Sequence, residues 1–185
     1  MLYRAAGVSA GIAAITLLIA GIALALFFGG AGSFWGPVND VFISVTTIAL
    51  ILPMLAVDRM AGETVPWLRA VTVIGIVGAV VVAVGQLLLV AGVITLNDSF
   101  VTGGVGFLGI VIWMIALVVL AFGLGAIPTV IGGLAALSLA FMVATALIGF
   151  ATTGAALWVV CAILLVALLA WLGSLSAGLI GRTPA

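Results

Sequence analysis

Four charged side chains crowd into one stretch, Asp58-Arg59-Met60-Ala61-Gly62-Glu63-Thr64-Val65-Pro66-Trp67-Leu68-Arg69, between two long apolar runs; Arg4, Asp40, Asp98 and Arg182 complete the set. Asp58 or Glu63 could move a proton, but nothing beside them has the character of a nucleophile. The chain has no histidine, so neither a Ser–His nor a Cys–His pair can be built. Cys161 is the only cysteine and lies inside an apolar run. It can form no disulfide within the chain, and a zinc or haem site has no ligand set to draw on. Intramembrane aspartyl catalysis needs two aspartates at depth, whereas Asp40 and Asp98 fall at the ends of apolar runs. This inventory predicts a protein that is not an enzyme and needs no metal or cofactor.

Binding is the chemistry that remains. Gln86 is the only amide well inside an apolar run, suited either to hydrogen bonding between helices or to contact with a pore or ligand. Trp113 is expected ten residues into its helix, roughly 15 Å deep, with Gln86 at nearly the same level, roughly 12 Å deep. An indole N–H in hydrocarbon seeks an acceptor, so a direct or water-bridged contact between Trp113 and Gln86 is expected. Thr46, Thr47, Met142, Thr145 and Cys161 share one half of the expected bundle. A cavity opening on that side would be lined by them and floored near Pro53. The simpler reading is that the threonines bond to their own backbone. Asp40 either caps a helix after Gly36-Pro37 or acts as an outward acid that collects a cation or proton, and Asp98 has the same two readings. Asp58–Arg59 and Glu63–Arg69 are expected to be solvated and partly paired, with a docking face for a cytoplasmic partner as the functional alternative.

The elements that must position these residues follow from composition. The chain is 68% hydrophobic and only 4% charged, and its mean hydropathy is +1.68. Soluble domains carry about 25% charged residues, so an integral membrane protein is expected. No alternating pattern of about ten residues recurs, which excludes a barrel and leaves helices. The predicted fold is all-α, a polytopic transmembrane bundle in one domain over 1–185. Its six helices span about 5–28, 40–57, 70–94, 103–122, 129–150 and 155–175. The first run is too long for a signal h-region, so it is expected to be retained. The breaks are Gly29–Asp40, the charged loop, Thr95–Thr102, Gly123–Pro128 and Ala151–Gly154.

Small residues at spacings of four mark helix contacts. Gly7, Gly11, Gly21 and Ala25 form such a stripe on the first helix; Gly75, Ala79 and Ala83 form one on the third, on the Gln86 side. Ala170-Ser174-Gly178 is a third, suited to assembly if exposed. Six helices place Arg4, Arg59, Arg69 and Arg182 on one side and only Asp40 and Asp98 on the other. The positive-inside rule then puts both termini in the cytoplasm, here of a prokaryotic cell. The expected partners are the lipid bilayer and either another membrane protein or a second copy; zero net charge gives no cue for nucleic acid. The expected function is a non-enzymatic accessory, assembly or apolar-ligand-binding bundle. The alternative is a small transporter or channel with an outward cavity near Gln86.

Overall fold

Helix is the only regular structure that the described residues adopt, and the local sequence explains most helix ends. A computed structural model describes residues 1–151 and 155–182. It is 86% helical, and six of its helices are long and apolar enough to cross a membrane. The elements are α1 (Leu2–Phe28), α2 (Trp35–Ala49), α3 (Ile51–Ala61), α4 (Trp67–Val90), α5 (Leu96–Val118), α6 (Thr129–Ala151) and α7 (Ala155–Ile180). A π-helical turn, Val119–Gly123, extends α5, and α2 with α3 makes one span.

The second span starts at Trp35, five residues before the expected start at Asp40. Pro37 falls in its first turn, where the missing N–H costs nothing. Asp40 therefore does not cap this helix; the cap is Phe34, with no side-chain hydrogen bond. The span breaks at Leu50, between α2 and α3. Pro53 has no N–H to give the Ala49 carbonyl four residues back. The Ser9 hydroxyl of α1 donates to that carbonyl instead, at 2.7 Å.

α4 ends at Val90, four residues short of the expected Ile94. Gly92 takes φ +69, Val93 N–H bonds the Leu88 carbonyl at 2.9 Å and Gly92 N–H bonds Leu89 at 3.0 Å. This is a Schellman closure, which glycine permits because it has no Cβ. α5 begins at Leu96 rather than 103, because Thr95 and Asp98 form a capping box. Thr95–Thr102 is thus mostly helix. Asp98 takes the capping role and accepts from Thr95 N at 3.0 Å. α7 runs to Ile180, beyond the expected 175. The expected turn at residues 151–154 lies largely outside the described residues.

The spans form a ring. α1 packs on α2, α2 on α4, α4 on α5, α5 on α6, α6 on α7, and α7 returns to α1. Arg4, Asp58, Arg59, Arg69 and Arg182 all lie at the end of the ring that carries the N-terminus, called here the arginine end. Beyond the Leu50 break, α3 turns inward there and touches α1, α4 and α7. It fills the centre of that half with Met54 and Val57, beside Leu68, Trp113, Leu117, Leu120, Trp171, Leu172 and Leu175. In the far half nothing among the described residues replaces α3. Among the described residues α2 touches neither α5, α6 nor α7.

α4 and α5 are the closest pair along their whole length. A Cβ on Gly78 would collide with the Gly106 carbonyl oxygen, and one on Gly109 would meet the Ile74 carbonyl at 2.7 Å. Gly75, Ala79 and Ala83 are all buried, but the seam with α5 is carried by Gly75, Gly78 and Gly85. On α1, Gly7 abuts Ser176 and Ile180 of α7, Gly11 lies near Ser176, and Gly21 meets Leu165. Ala25 departs from the expected stripe and is exposed. At that level α1 and α7 meet through the rings of Phe28 and Trp158, 5.9 Å apart, rather than through small residues. The stripe on α7 is only partly free: Ala170 is exposed, while Gly178 packs against Ile131 of α6.

Candidate functional site

The unfilled far half is a cavity of about 920 Å³. That volume falls within the ~300–1,000 Å³ range of small-molecule pockets. α5 contributes Phe100, Gly104, Phe107, Ile110 and Met114, a 3- and 4-residue spacing that keeps one face of the helix on the cavity. α2 contributes Ile43, Thr46, Thr47 and Leu50, and α1 contributes Leu17. From α6 come Met142, Thr145 and Ala146, and from α7 Leu164, Leu168, Trp171 and Leu172. Trp171, Leu172, Met114 and Leu50 lie deepest and form the floor.

The wall is hydrocarbon almost throughout, and its hydroxyls are already engaged. Thr46 Oγ1 donates to the Phe42 carbonyl at 2.8 Å and lies 2.8 Å from Thr16 Oγ1 of α1. Thr47 Oγ1 lies 3.1 Å from the Ile43 carbonyl and 3.0 Å from that of Ser44. Thr145 Oγ1 donates to the Phe141 carbonyl at 2.8 Å. A threonine bonded to its own helix turns its methyl group outward, so the wall presents little that could hold an ion or a polar solute.

Five residues carried the expected binding chemistry, and the structure separates them. Thr46 and Thr47 line the cavity, as do Met142 and Thr145, but Cys161 and Pro53 do not. Gln86, Trp113 and Asp40 are also absent from the wall. Asp40 sits one turn inside α2, where its carboxylate accepts from the Asn39 amide at 3.0 Å.

The expected Gln86–Trp113 contact is corrected. A Cβ on Gly103 would lie 3.9 Å from Gln86 Nε2, whereas Trp113 packs against Gly75, 3.0 Å from a Cβ placed there. Eleven residues separate Gly75 from Gln86 on α4, or roughly 16 Å. The error lay in the helix ends: Gln86 is four residues from the end of α4, and Trp113 is seventeen residues beyond the start of α5. Both the Gln86 Oε1 and the Trp113 Nε1 are buried without a hydrogen-bond partner. The partner of Trp113 is Trp171, with ring centroids 6.1 Å apart and planes tilted by 60°. Trp171 is fully enclosed, and α7 continues nine residues past it.

Sequence reasoning missed the apolar part of the wall, above all Phe100, Phe107, Met114, Trp171 and Leu172. The only signal was the 100–104–107–110–114 spacing, and α5 has apolar residues on every face. In the charged loop, Arg69 pairs with Asp58 at 3.8 Å rather than with Glu63. The Arg69 side chain is 81% exposed, so this pair adds little stability.

No family model matches the chain, and comparison with curated proteins and with solved structures finds no match either. Fold and site together define a class: a bundle of six long apolar helices with an apolar cavity in one half.

Proposed function

We propose that the chain is a non-enzymatic, multi-pass protein of a prokaryotic cytoplasmic membrane that binds an apolar molecule in its far-half cavity. The observation that carries this reading is the cavity wall, in which every threonine hydroxyl is engaged by backbone or by another hydroxyl. An apolar guest gains from burial there at about 25 cal/mol per Å² of surface removed from water. A polar guest would lose its hydration without replacement. Transport of ions or polar solutes needs an ionisable or strongly polar group along the path. Gln86, the side chain that favoured it, lies outside the wall. Both termini are cytoplasmic in this reading, because the four arginines gather at one end.

A fluorescent hydrocarbon probe tests the binding. The purified full-length chain should bind it saturably. Leu164→Trp and Thr145→Phe fill half-buried wall positions in the loosely packed half and should weaken binding at least tenfold, whereas Val143→Phe, exposed and off the wall, should not. Probe binding that is unsaturable, or equal in all variants, would sink the proposal. For orientation, single cysteines at Met60 and Asp98 in a Cys161→Ala background are labelled in intact cells with an impermeant reagent. Position 98 should react and position 60 should not; the reverse pattern inverts the topology.

A further inference from the structure

Resting on that reading, we propose that the occupant is one hydrocarbon chain of a membrane lipid whose headgroup has no net negative charge. The chain enters sideways, between the far halves of α5 and α6. The route follows from how exposure changes around the wall. On α2, Thr46 and Thr47 are buried, and on α1 and α7, Leu17 and Leu164 are half-buried. On α5 and α6, Phe100, Gly104 and Ala146 belong to the same wall and are exposed, Phe100 to 72%. The wall is therefore open on the α5–α6 side.

The packing of the two helices agrees. Close approach of α6 to α5 and its π turn occurs at the arginine end, where Gly132 lies against Ala121 and Leu117. The buried residues of α6, Ile131, Gly132, Ala135 and Ser138, all lie in that half, and none of its described residues from Leu139 to Leu147 is buried. Gly104 has no atom within 4 Å of where its Cβ would be. A gap that opens along two helix flanks faces the bilayer, not the water above it.

The dimensions suit a chain. Phe100 to Met114 spans roughly 21 Å along α5, longer than the ~15 Å half-thickness of a hydrocarbon core. A chain anchored in one leaflet therefore fits above the Met114–Trp171 floor without crossing it. Charge selects the headgroup. Asp98 lies half a turn before Phe100 at the mouth, Asp40 is at the same end, and that end has no arginine or lysine. An anionic headgroup meets only like charge there, whereas an amine meets Asp98.

The test uses the full-length chain with Trp35, Trp67 and Trp158 changed to Phe, which leaves Trp171 at the floor and Trp113 packed against it outside the wall. It is reconstituted in vesicles in which the chain-brominated lipid is either phosphatidylethanolamine or phosphatidylglycerol, with identical acyl chains. Bromine quenches indole fluorescence on contact. Quenching should be at least twofold greater with the zwitterionic lipid, and Gly104→Phe with Ala146→Phe should lower it to the anionic value. Circular dichroism identifies a variant that has lost its fold, and Ala146→Leu alone then narrows the same gap. Equal quenching by the two headgroups overturns the headgroup assignment, and quenching unchanged by the mouth variants overturns the route. If the hydrocarbon probe binds but neither lipid quenches, lipid is removed as the occupant and the apolar-ligand reading stands. If the probe itself does not bind, that reading falls.

Discussion

At the arginine end, a Cβ on Gly7 would meet the Ser176 backbone carbonyl at 2.8 Å and the Ile180 nitrogen at 3.0 Å. At the far end, a Cβ on Gly21 would meet only the tip of the Leu165 side chain, at 2.7 Å. The same two helices, α1 and α7, are thus locked by backbone in one half and buffered by a flexible side chain in the other. The wider structure repeats this contrast. The largest fully buried side chains, Trp113, Trp171, Met54, Leu68 and Leu117 among them, lie in the arginine half; Val82 is the exception. The described far portions of α6 and α7, residues 139–147 and 157–166, contain no buried residue. Because α3 turns inward at only one end, a single proline-linked break divides the bundle into a packed half and a hollow one. The packed half holds most of the fully buried side chains, and under the proposed function the hollow half would adapt to a guest without disturbing them.

The largest test of this contrast is Trp113→Ala. It empties the packed half beside Trp171 and should lower stability by about 3–5 kcal/mol, read as a fall in thermal midpoint in detergent. Leu164→Ala, on the hollow side, should cost under about 1 kcal/mol, because the half-buried side chain leaves no sealed void. Similar losses for the two would erase the distinction between the halves.

Gly7→Ala and Gly21→Ala make the comparison on one pair of helices. The first forces α1 and α7 apart at the backbone and should cost about 1–3 kcal/mol. The second asks only that Leu165 change rotamer, and should stay within about 0.5 kcal/mol. If Gly21→Ala proves the worse, the far ends of α1 and α7 are packed more tightly than the contacts show.

The packed half was more legible in the sequence than the hollow one. Length and hydropathy reveal six helices long and apolar enough to cross a membrane. The glycine spacing of α1 singled out Gly7 and Gly11, and a Cβ at either would meet α7. Helix ends were read less well. Thr95-x-x-Asp98 is a capping signal in plain sight, but the polar run Asn97-Asp98-Ser99 reads equally as a loop. That error displaced Trp113 by seven residues and, with the four-residue error at the end of α4, produced a contact with Gln86 that the fold does not make. The cavity wall was legible only at its threonines and Met142. A helix apolar on all sides does not announce which face meets a void, which meets a neighbour and which faces outward.

Ser9→Ala tests the joint that creates the two halves. It removes the donor at 2.7 Å from the Ala49 carbonyl, which Pro53 cannot serve. Interhelical hydrogen bonds of this kind contribute about 0.6 kcal/mol on average and at most about 2. A loss of about 1 kcal/mol is expected, because Pro53 cannot replace the lost donor. A Ser9→Ala, Pro53→Ala double variant should recover most of it, since an alanine at 53 restores the N–H. If recovery fails, the hydroxyl acts through packing rather than through the carbonyl, and the break at Leu50 has another cause.

The smallest effect expected is a gain. Gly104 lies on an exposed face of α5 with no atom within 4 Å of its Cβ position, and its φ is not in the left-handed region. Neither space nor backbone geometry requires glycine there. Alanine at 104 would lower the conformational freedom of the unfolded chain and raise stability by about 0.5 kcal/mol. The same change at Gly78, one helix away, would drive a methyl group into the Gly106 carbonyl and should be destabilising by about 1–3 kcal/mol. The two alanines are chemically identical and differ only in whether they meet the α4–α5 seam or the open wall. Opposite signs in thermal unfolding would locate the boundary between packed and hollow regions on a single helix pair. A destabilising Gly104→Ala would mean that something occupies the space beside Phe100 and Phe107 even in detergent. Adding excess lipid should then change the sign or size of the effect, whereas a Gly78→Ala loss should not respond.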